Sequence, residues 1–172
     1  MVKFTASIVA LALAVTAAAA PTSQTTFSFA QWVEDIIATP DTALSPEEAV
    51  AAANAADVVT SAGGLIKRAA RCQQLFKDAP AGDAAACLDD LARKGAQGVQ
   101  CGLSTFDIQM CRIGGAQLVA SKGGTIPLSA NCNDVARTGG LIFDSCWRAD
   151  DTVRGTENCI TNREMFIHIT GV

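Results

Sequence analysis

The sequence has no tyrosine and a single histidine, His168, and aromatic residues make up only 5% of its 172 residues. Hydrolases that use serine, cysteine or a metal need a base oriented by a third group, so one histidine leaves little for such a site. Residues 69–172 hold no block of like charge, and the formal net charge of the chain is −4. This composition argues against catalysis and against non-specific binding to nucleic acid or anionic membranes.

Cysteine is absent from the first 71 residues, and no two cysteines form a Cys-x-x-Cys pair. Zinc sites usually contain such short-spaced pairs, so we predict no metal site and no cofactor. The cysteines that do occur are widely and roughly evenly spaced: Cys72, Cys87, Cys101, Cys111, Cys132, Cys146 and Cys159. This spacing indicates a disulfide framework, which requires an oxidising compartment.

Seven cysteines leave one thiol over, and three disulfides allow 7 × 15 = 105 arrangements. One pair is excluded: a continuous helix from Cys132 to Cys146 would separate their Cα atoms by roughly 21 Å, whereas a disulfide needs about 7 Å or less. Both must therefore pair with other elements. We take the odd thiol to be Cys159, in the polar segment TENCITN, either as an idle or buried thiol or as a bridge that makes a covalent dimer.

The N-terminus has the pattern of a secretory signal peptide. Lys3 provides a positive start, IVALALAVTAAAA is a short apolar run, and residues 17–19 are the small alanines that a signal peptidase accepts. The run is too short for a comfortable membrane span and lacks a basic stop-transfer flank. We therefore predict a signal peptide over residues 1–19 and a secreted, extracellular protein.

Residues 20–68 differ from the later part of the chain, because they contain no cysteine and carry six acidic residues against two basic ones, a net charge of 2 − 6 = −4. The two cations, Lys67 and Arg68, lie just after the flexible stretch SAGG. A dibasic pair on a linker suits the acidic pocket of a secretory-pathway processing protease. We predict cleavage after Arg68, which removes an acidic prosegment and leaves a mature domain of residues 69–172. The alternative is an ordinary solvated charge pair.

Two short helices are predicted within the prosegment. Ser28 caps the first, whose apolar positions recur at helical spacing. Ser45 caps the second and forms a capping box with Glu48, with Pro46 at the first helical position. The apolar stripe of the first helix either docks on the mature domain or stays loose. That stripe consists of Phe29, Trp32, Val33 and Ile36.

The sequence pattern of residues 69–172 predicts strands and helices in the order β-α-β-β-α-β-β. Asp83 is expected to cap the first helix and Ser129 the second, in which the pair Gly139–Gly140 either kinks the helix or lets another element approach. Strands are expected around residues 71–76, in LSTFDIQMC, over 117–120, in DTVRG and in EMFIHI, where Met165, Ile167 and Ile169 share one face. The fold class is therefore α+β: a two-layer α/β sandwich of two helices on one antiparallel sheet, stapled by disulfides.

No residue is assigned a catalytic role. We expect His168 to be an exposed strand residue, with a small secreted hydrolase or nuclease as the alternative. Such an enzyme would use His168 with Glu157 or Glu164 and Arg163. The neighbouring acids Asp89 and Asp90 are expected on a solvated helix face, and Asp150 and Asp151 in a turn.

Several segments between about residues 71 and 169 resemble a large group of small, secreted, cysteine-rich fungal proteins. They are RCQ, DAAACLDDLARKGAQ, MCR, GGAQLVAS, CNDVA, LIFDSCWRADDTVRGTE and FIHI. That group is similar to killer-toxin-like α/β sandwiches and candidate virulence effectors. Six cysteines, from Cys72 to Cys146, fit its pattern, and Cys159 departs from it.

The resemblance implies a ligand rather than an enzyme. Its expected partner is an extracellular protein or a membrane target of a host or a competing cell. A protease inhibitor would share the same scaffold and is a further alternative.

Overall fold

The structure is a computed structural model that describes residues 27–57, 70–72 and 75–172. Its helices in these ranges are α1 (Phe29–Ala38), α2 (Pro46–Asp57), α3 (Ala81–Ala96) and α4 (Cys132–Cys146). Its strands are β1 (Ala79–Pro80), β2 (Gln100–Leu103), β3 (Asp107–Ile113), β4 (Ala116–Lys122), β5 (Leu128–Asn131), β6 (Thr152–Val153), β7 (Gly155–Asn158) and β8 (Met165–Gly171). The predicted signal peptide and the dibasic pair lie outside the described residues.

The starts of α1 and α2 are as the sequence predicts. The Ser28 hydroxyl accepts a hydrogen bond from the backbone N–H of Gln31. At α2, the Glu48 carboxylate accepts from the Ser45 backbone N–H at 2.8 Å, and the Ser45 hydroxyl accepts from the Glu48 N–H at 3.3 Å. These reciprocal bonds satisfy N–H groups that a helix start leaves without partners, so both helices begin at sequence-encoded caps.

The main sheet has four antiparallel strands in the order β3–β4–β8–β7. Along β8, the side chains of Met165, Ile167 and Ile169 are fully buried, which confirms the face predicted for them. Leu118 on β4 pairs with Ile169 and is equally buried. One face of the sheet is therefore part of the core, and the alternate residues point to the opposite side.

Helices α3 and α4 pack together over the buried face of the sheet. A Cβ at Gly139 of α4 would collide with the Leu88 side chain of α3 and would lie 3.3 Å from Leu118 on β4. The missing side chain thus lets two helices and a strand meet at one point. The predicted fold class is confirmed: a disulfide-stapled α+β fold with helices on an antiparallel sheet.

Three disulfides connect the elements from residue 72 onward. They join Cys72 to Cys146, Cys87 to Cys111, and Cys101 to Cys132. The first ties the segment before β1 to the end of α4, the second ties α3 to β3, and the third ties β2 to the start of α4. Since α4 is continuous from Cys132 to Cys146, its two cysteines do pair with other elements, as the helix length requires.

Two predicted helix caps are wrong. α3 begins at Ala81 instead of after Asp83, whose carboxylate accepts a 2.7 Å hydrogen bond from the backbone N–H of Gly115 in the β3–β4 turn. α4 is capped by Asn131 instead of Ser129, which lies in β5. Asp83 makes a long-range hydrogen bond instead of a cap, and Ser129 takes part in strand pairing instead.

The strand prediction needs several corrections. The strand expected in DTVRG is β6, which pairs with β1 outside the main sheet, and β7 of the main sheet lies partly in the polar segment TENCITN, where no strand was predicted. β2 and β5 form a two-stranded antiparallel sheet that was not predicted. The strand expected in LSTFDIQMC begins only at Asp107, so Phe106 lies outside it and is 70% exposed, and a register shift between Gln109 and Cys111 interrupts the pairing of β3 with β4. The strand expected over residues 71–76 is reduced, in the part described, to a single bridge between Arg71 and Thr156.

None of the helices in the described ranges has the length and apolar character needed to cross a membrane.

Candidate functional site

Helices α1 and α2 sit against α3 and α4 without any covalent bond other than the chain itself. All six bonded cysteines lie at residue 72 or later, whereas residues 27–57, here called the α1–α2 segment, contain none. The described chain leaves α2 at Asp57 and resumes at Ala70, so the predicted cleavage site lies between the two parts. A cut there would leave the segment held by non-covalent contacts alone.

The apolar stripe of α1 is fully docked. Its four members are 0–2% exposed: Phe29, Trp32, Val33 and Ile36. The Phe29 ring lies 4.1 Å, centroid to centroid, from Phe143 of α4 and 5.5 Å, edge to face, from Trp147. The Trp32 indole N–H donates to the carbonyl of Leu44 at 2.9 Å, so the one polar atom of this side chain is also satisfied. The structure therefore selects docking over the loose alternative.

Asp144 of α4 holds the N-terminus of α1. Its carboxylate accepts hydrogen bonds from the Phe29 N–H at 2.6 Å, the Ala30 N–H at 3.1 Å and the Ser28 hydroxyl at 2.7 Å. A carboxylate at this position also interacts favourably with the positive end of the helix dipole. Burial raises the pKa of Asp144, and the three hydrogen bonds oppose that increase.

Gly140, one turn before Asp144, lets the backbone of α1 approach α4 closely. A Cβ at this position would lie 2.8 Å from the Ala30 Cα and 3.1 Å from the Phe29 carbonyl oxygen. Of the two roles predicted for the pair Gly139–Gly140, the structure shows close approach. Helix α1 packs against α4 at Gly140, and α3 packs against α4 at Gly139.

An ion pair fixes the middle of α1. The Arg137 guanidinium donates to both oxygens of Glu34, at 2.7 and 2.9 Å, and also to Asp134 at 3.0 Å. These two acids raise the pKa of Arg137. Arg137, Gly140, Phe143 and Asp144 thus form one surface on α4, which we call the α4 docking face.

A second surface surrounds His168 on the face of the main sheet that points away from α3 and α4. The expectation that His168 is exposed is wrong, because its side chain is half-buried and both ring nitrogens lie near hydroxyls. Thr156 Oγ1 is 2.7 Å from Nδ1, Ser121 Oγ is 2.5 Å from Nε2, and the Phe76 ring packs edge-on at 5.2 Å. Burial lowers the pKa of His168, and the charge of Asp107 partly offsets this.

The residues proposed for a hydrolase are not brought together. Glu157 pairs across the sheet with Ile167, whereas His168 pairs with Thr156, so Glu157 and His168 point to opposite faces. Glu164 precedes His168 by four residues, which is about 13 Å along an extended chain. The backbone carbonyl of Arg163 accepts from the Asn158 side chain in the turn before β8.

Cys159 is a free and buried cysteine, with 0% of its surface exposed. Its backbone N–H donates to the Met165 carbonyl at 2.8 Å, which closes the turn that contains it. A disulfide between two chains needs an accessible sulfur atom, so this burial argues against the covalent dimer and favours the idle, buried thiol.

Within the described ranges, no group of three or more histidine, cysteine, aspartate or glutamate side chains could hold a metal ion. The neighbouring acids of α3 are paired with cations one turn later: Asp89 with Arg93 at 2.9 Å and Asp90 with Lys94 at 2.7 Å. These acids therefore stabilise a helix surface and do not converge on a cleft.

Sequence reasoning missed the α4 docking face, apart from the question that the glycine pair raised. Arg137, Gly140 and Asp144 are spaced at i, i+3 and i+7, which places a cation, a gap and an anion along one side of α4. That spacing was the available signal. It could not be interpreted without knowing which element packs there.

Residues 67–171 match a protein family described as a domain of unknown function (DUF8794). The match begins at Lys67, includes α3, α4 and the eight strands of the described ranges, and leaves out α1 and α2. No curated protein and no solved structure matches the chain.

Proposed function

The chain belongs to this family, DUF8794, and we propose that it is a secreted effector-like or toxin-like binding protein. In this proposal it is matured by cleavage after Arg68 and acts by surface recognition of an extracellular protein or a membrane target on a host or competing cell. The resemblance to small, secreted, cysteine-rich fungal proteins points to the same class. The protein is proposed to be a ligand, not an enzyme.

Secretion is supported by the three disulfides and the apolar N-terminal run. Disulfides persist in oxidising environments such as the secretory pathway and the extracellular space. Each typically contributes about 2–4 kcal/mol to stability, mainly by restricting the unfolded chain. Because these disulfides form in an oxidising compartment, a domain of this size gains much of its stability only outside the cytosol.

The observation that carries the proposal is the division between covalent and non-covalent structure. Every disulfide lies after residue 71, and the family match begins at the dibasic pair itself. Cleavage after Arg68 would leave the disulfide-bonded part intact and turn the α1–α2 segment into a separate, dissociable peptide. The precursor would then carry its own cover over the α4 docking face, and maturation would remove it.

The processing step is tested by mass spectrometry of protein secreted from a eukaryotic host that has a dibasic-processing protease. We expect an N-terminus at Ala69 and a mass six hydrogens below the reduced form, two for each disulfide. The matched control is the Lys67→Ala/Arg68→Ala variant, which should keep residues 20–68. A wild-type chain that still begins near Ala20 would refute the processing step.

One contact favours the hydrolase alternative. Ser121 Oγ lies within hydrogen-bond distance of His168 Nε2, the arrangement of a nucleophile and its base, although Thr156 takes the place on Nδ1 that a carboxylate holds in many triads. If this pair were catalytic, Ser121→Ala and His168→Ala would each abolish hydrolysis of ester or phosphodiester substrates. The binding-protein proposal predicts that neither substitution changes toxicity or target binding.

A further inference from the structure

We propose that the α4 docking face, once cleavage after Arg68 has let the α1–α2 segment leave it, binds the N-terminal half of an amphipathic α-helix in a partner protein; this rests on the proposed maturation. The partner helix has an aromatic residue at its first position, apolar residues at its fourth, fifth and eighth positions, and an acidic residue at its sixth. These are the positions that Phe29, Trp32, Val33, Ile36 and Glu34 hold in α1.

Asp144 recognises the start of a helix rather than a particular side chain. Its carboxylate accepts from the backbone N–H groups of Phe29 and Ala30, which are groups that every helix leaves free in its first turn. Any helix that enters in the direction of α1 therefore offers the same donors and the same positive dipole end. This contact sets the direction and the end point of the bound helix.

Gly140 and Phe143 set the distance and the first side chain. At Gly140 the docked backbone comes so close that a single added methyl group would lie 2.8 Å from it. The ring of Phe143, itself 0% exposed, stacks at 4.1 Å on the aromatic residue at the first helical position. A first residue without a large flat side chain would leave this stacking surface uncovered.

Arg137 supplies the charge preference. The Arg137 guanidinium donates one hydrogen bond to Asp134 on the same helix at 3.0 Å, which fixes its orientation. Its other N–H groups donate to the two carboxylate oxygens of the docked acid at 2.7 and 2.9 Å. A guanidinium fixed in this way pairs with a carboxylate through two parallel bonds and disfavours a lysine or arginine at that position. The preference for an acid at the sixth position comes from this geometry.

Cleavage is what would make the docking face available. Before the cut, the linker keeps the α1–α2 segment at a high effective concentration next to α4; after it, binding is an ordinary bimolecular equilibrium. Short helices are marginal alone, so the freed peptide must also regain its order each time it binds. Its departure uncovers apolar surface, such as the Phe143 ring, that a monomer rarely leaves exposed, and a partner helix would cover it.

The test uses the full disulfide-bonded chain, cut in vitro by an endoprotease that recognises Lys-Arg, which occurs once in the sequence. The probe is a fluorescent designed helix that keeps only the N-cap and the five positions that α1 uses for docking. Fluorescence anisotropy should report binding at least about tenfold tighter to cut than to uncut protein. A probe with lysine at the sixth position should bind about two- to fivefold more weakly, and Arg137→Glu should restore it.

The protease-treated Lys67→Ala/Arg68→Ala variant is the control, because it cannot be cut at this site and should bind neither probe. Two results overturn the inference: the cut protein keeps its own segment and excludes the probe, or two cut copies pair through α4 and no probe binds. Because the cut is made in vitro, this test is independent of whether a secreting cell processes the chain. The N-terminus of the secreted protein decides that question separately.

Discussion

The backbone N–H of Phe29 donates to the Asp144 carboxylate at 2.6 Å, although the two residues are 115 positions apart in the sequence. This bond joins the cysteine-free N-terminal segment to the disulfide-bonded domain. Its donor is a helix start that would otherwise lack a partner, and its acceptor is an acid that burial has made costly to ionise. Each part therefore satisfies a requirement of the other, and a cut in the linker leaves this interaction in place but reversible.

Asp144→Ala should loosen α1 on the domain. The substitution removes the acceptor for two N–H groups and a hydroxyl, and the loss of a helix cap of this kind costs about 1–2 kcal/mol. Amide hydrogen exchange should accelerate across residues 29–36 of the uncut chain, with little change in β8. Asp90→Ala, which breaks an exposed pair with Lys94, is the matched control and should cost less than about 0.5 kcal/mol. Unaltered exchange in α1 would rule out the capping role.

Gly140→Ala should destabilise the uncut chain even though alanine is the better helix former. The new Cβ would lie 2.8 Å from the Ala30 Cα, and overpacking of this kind typically costs about 1–3 kcal/mol. Gly82→Ala on α3 is the control: nothing lies within 4 Å of its added Cβ, so it should gain up to about 1 kcal/mol. Urea unfolding measures both. Equal effects at the two sites would contradict the close approach of α1 to α4.

His168 should make the protein less stable in mild acid. Burial lowers its pKa in the folded state, so below the ordinary value of 6.5 the unfolded chain binds more protons than the folded one. The free energy of unfolding is therefore highest above pH 6.5 with respect to this group and decreases as the pH decreases through that value. Urea titrations between pH 7.5 and about pH 5 test this.

The reference for that experiment is His168→Gln, which keeps hydrogen-bonding atoms but does not titrate. Asp144 titrates in both chains, so the difference between them reports on His168 alone. A wild-type chain that gained stability relative to His168→Gln on acidification would mean that its imidazolium is stabilised, not penalised.

Cys159 should remain a reduced thiol, and the protein should remain monomeric. Its side chain is fully buried, so a thiol reagent should label about one cysteine per chain only after denaturation. Non-reducing electrophoresis of the folded protein should give a monomer, and Cys159→Ala should run identically. A dimer that disappears both on reduction and in Cys159→Ala would restore the covalent-dimer alternative.

The features that could be predicted from sequence are the local ones. The caps at Ser28 and Ser45 and the alternation along β8 depend on residues a few positions apart, and they are present in the structure. The unsuccessful predictions involve distant partners: Asp83 bonds to Gly115 instead of capping α3, and Ser129 lies in a strand paired with β2. A residue that can cap a helix can equally serve a turn or a strand, and only the tertiary structure decides between them.

The same reasoning explains what was missed at the candidate site. The apolar stripe of α1 was visible in the sequence, but its receptor was not, because Arg137 and Asp144 look like ordinary surface charges of an amphipathic helix. The significance of Gly140 likewise depends on a helix more than 100 residues earlier in the chain. No local pattern encodes that pairing.

The most direct test of the central claim is native mass spectrometry of the chain cut after Arg68, diluted from micromolar to nanomolar concentration with its disulfides intact. The account predicts a two-chain complex that gives way on dilution to a folded disulfide-bonded fragment without residues 27–57. A complex that survives every dilution, or a fragment that takes on the broad charge distribution of an unfolded chain once it is alone, would contradict it.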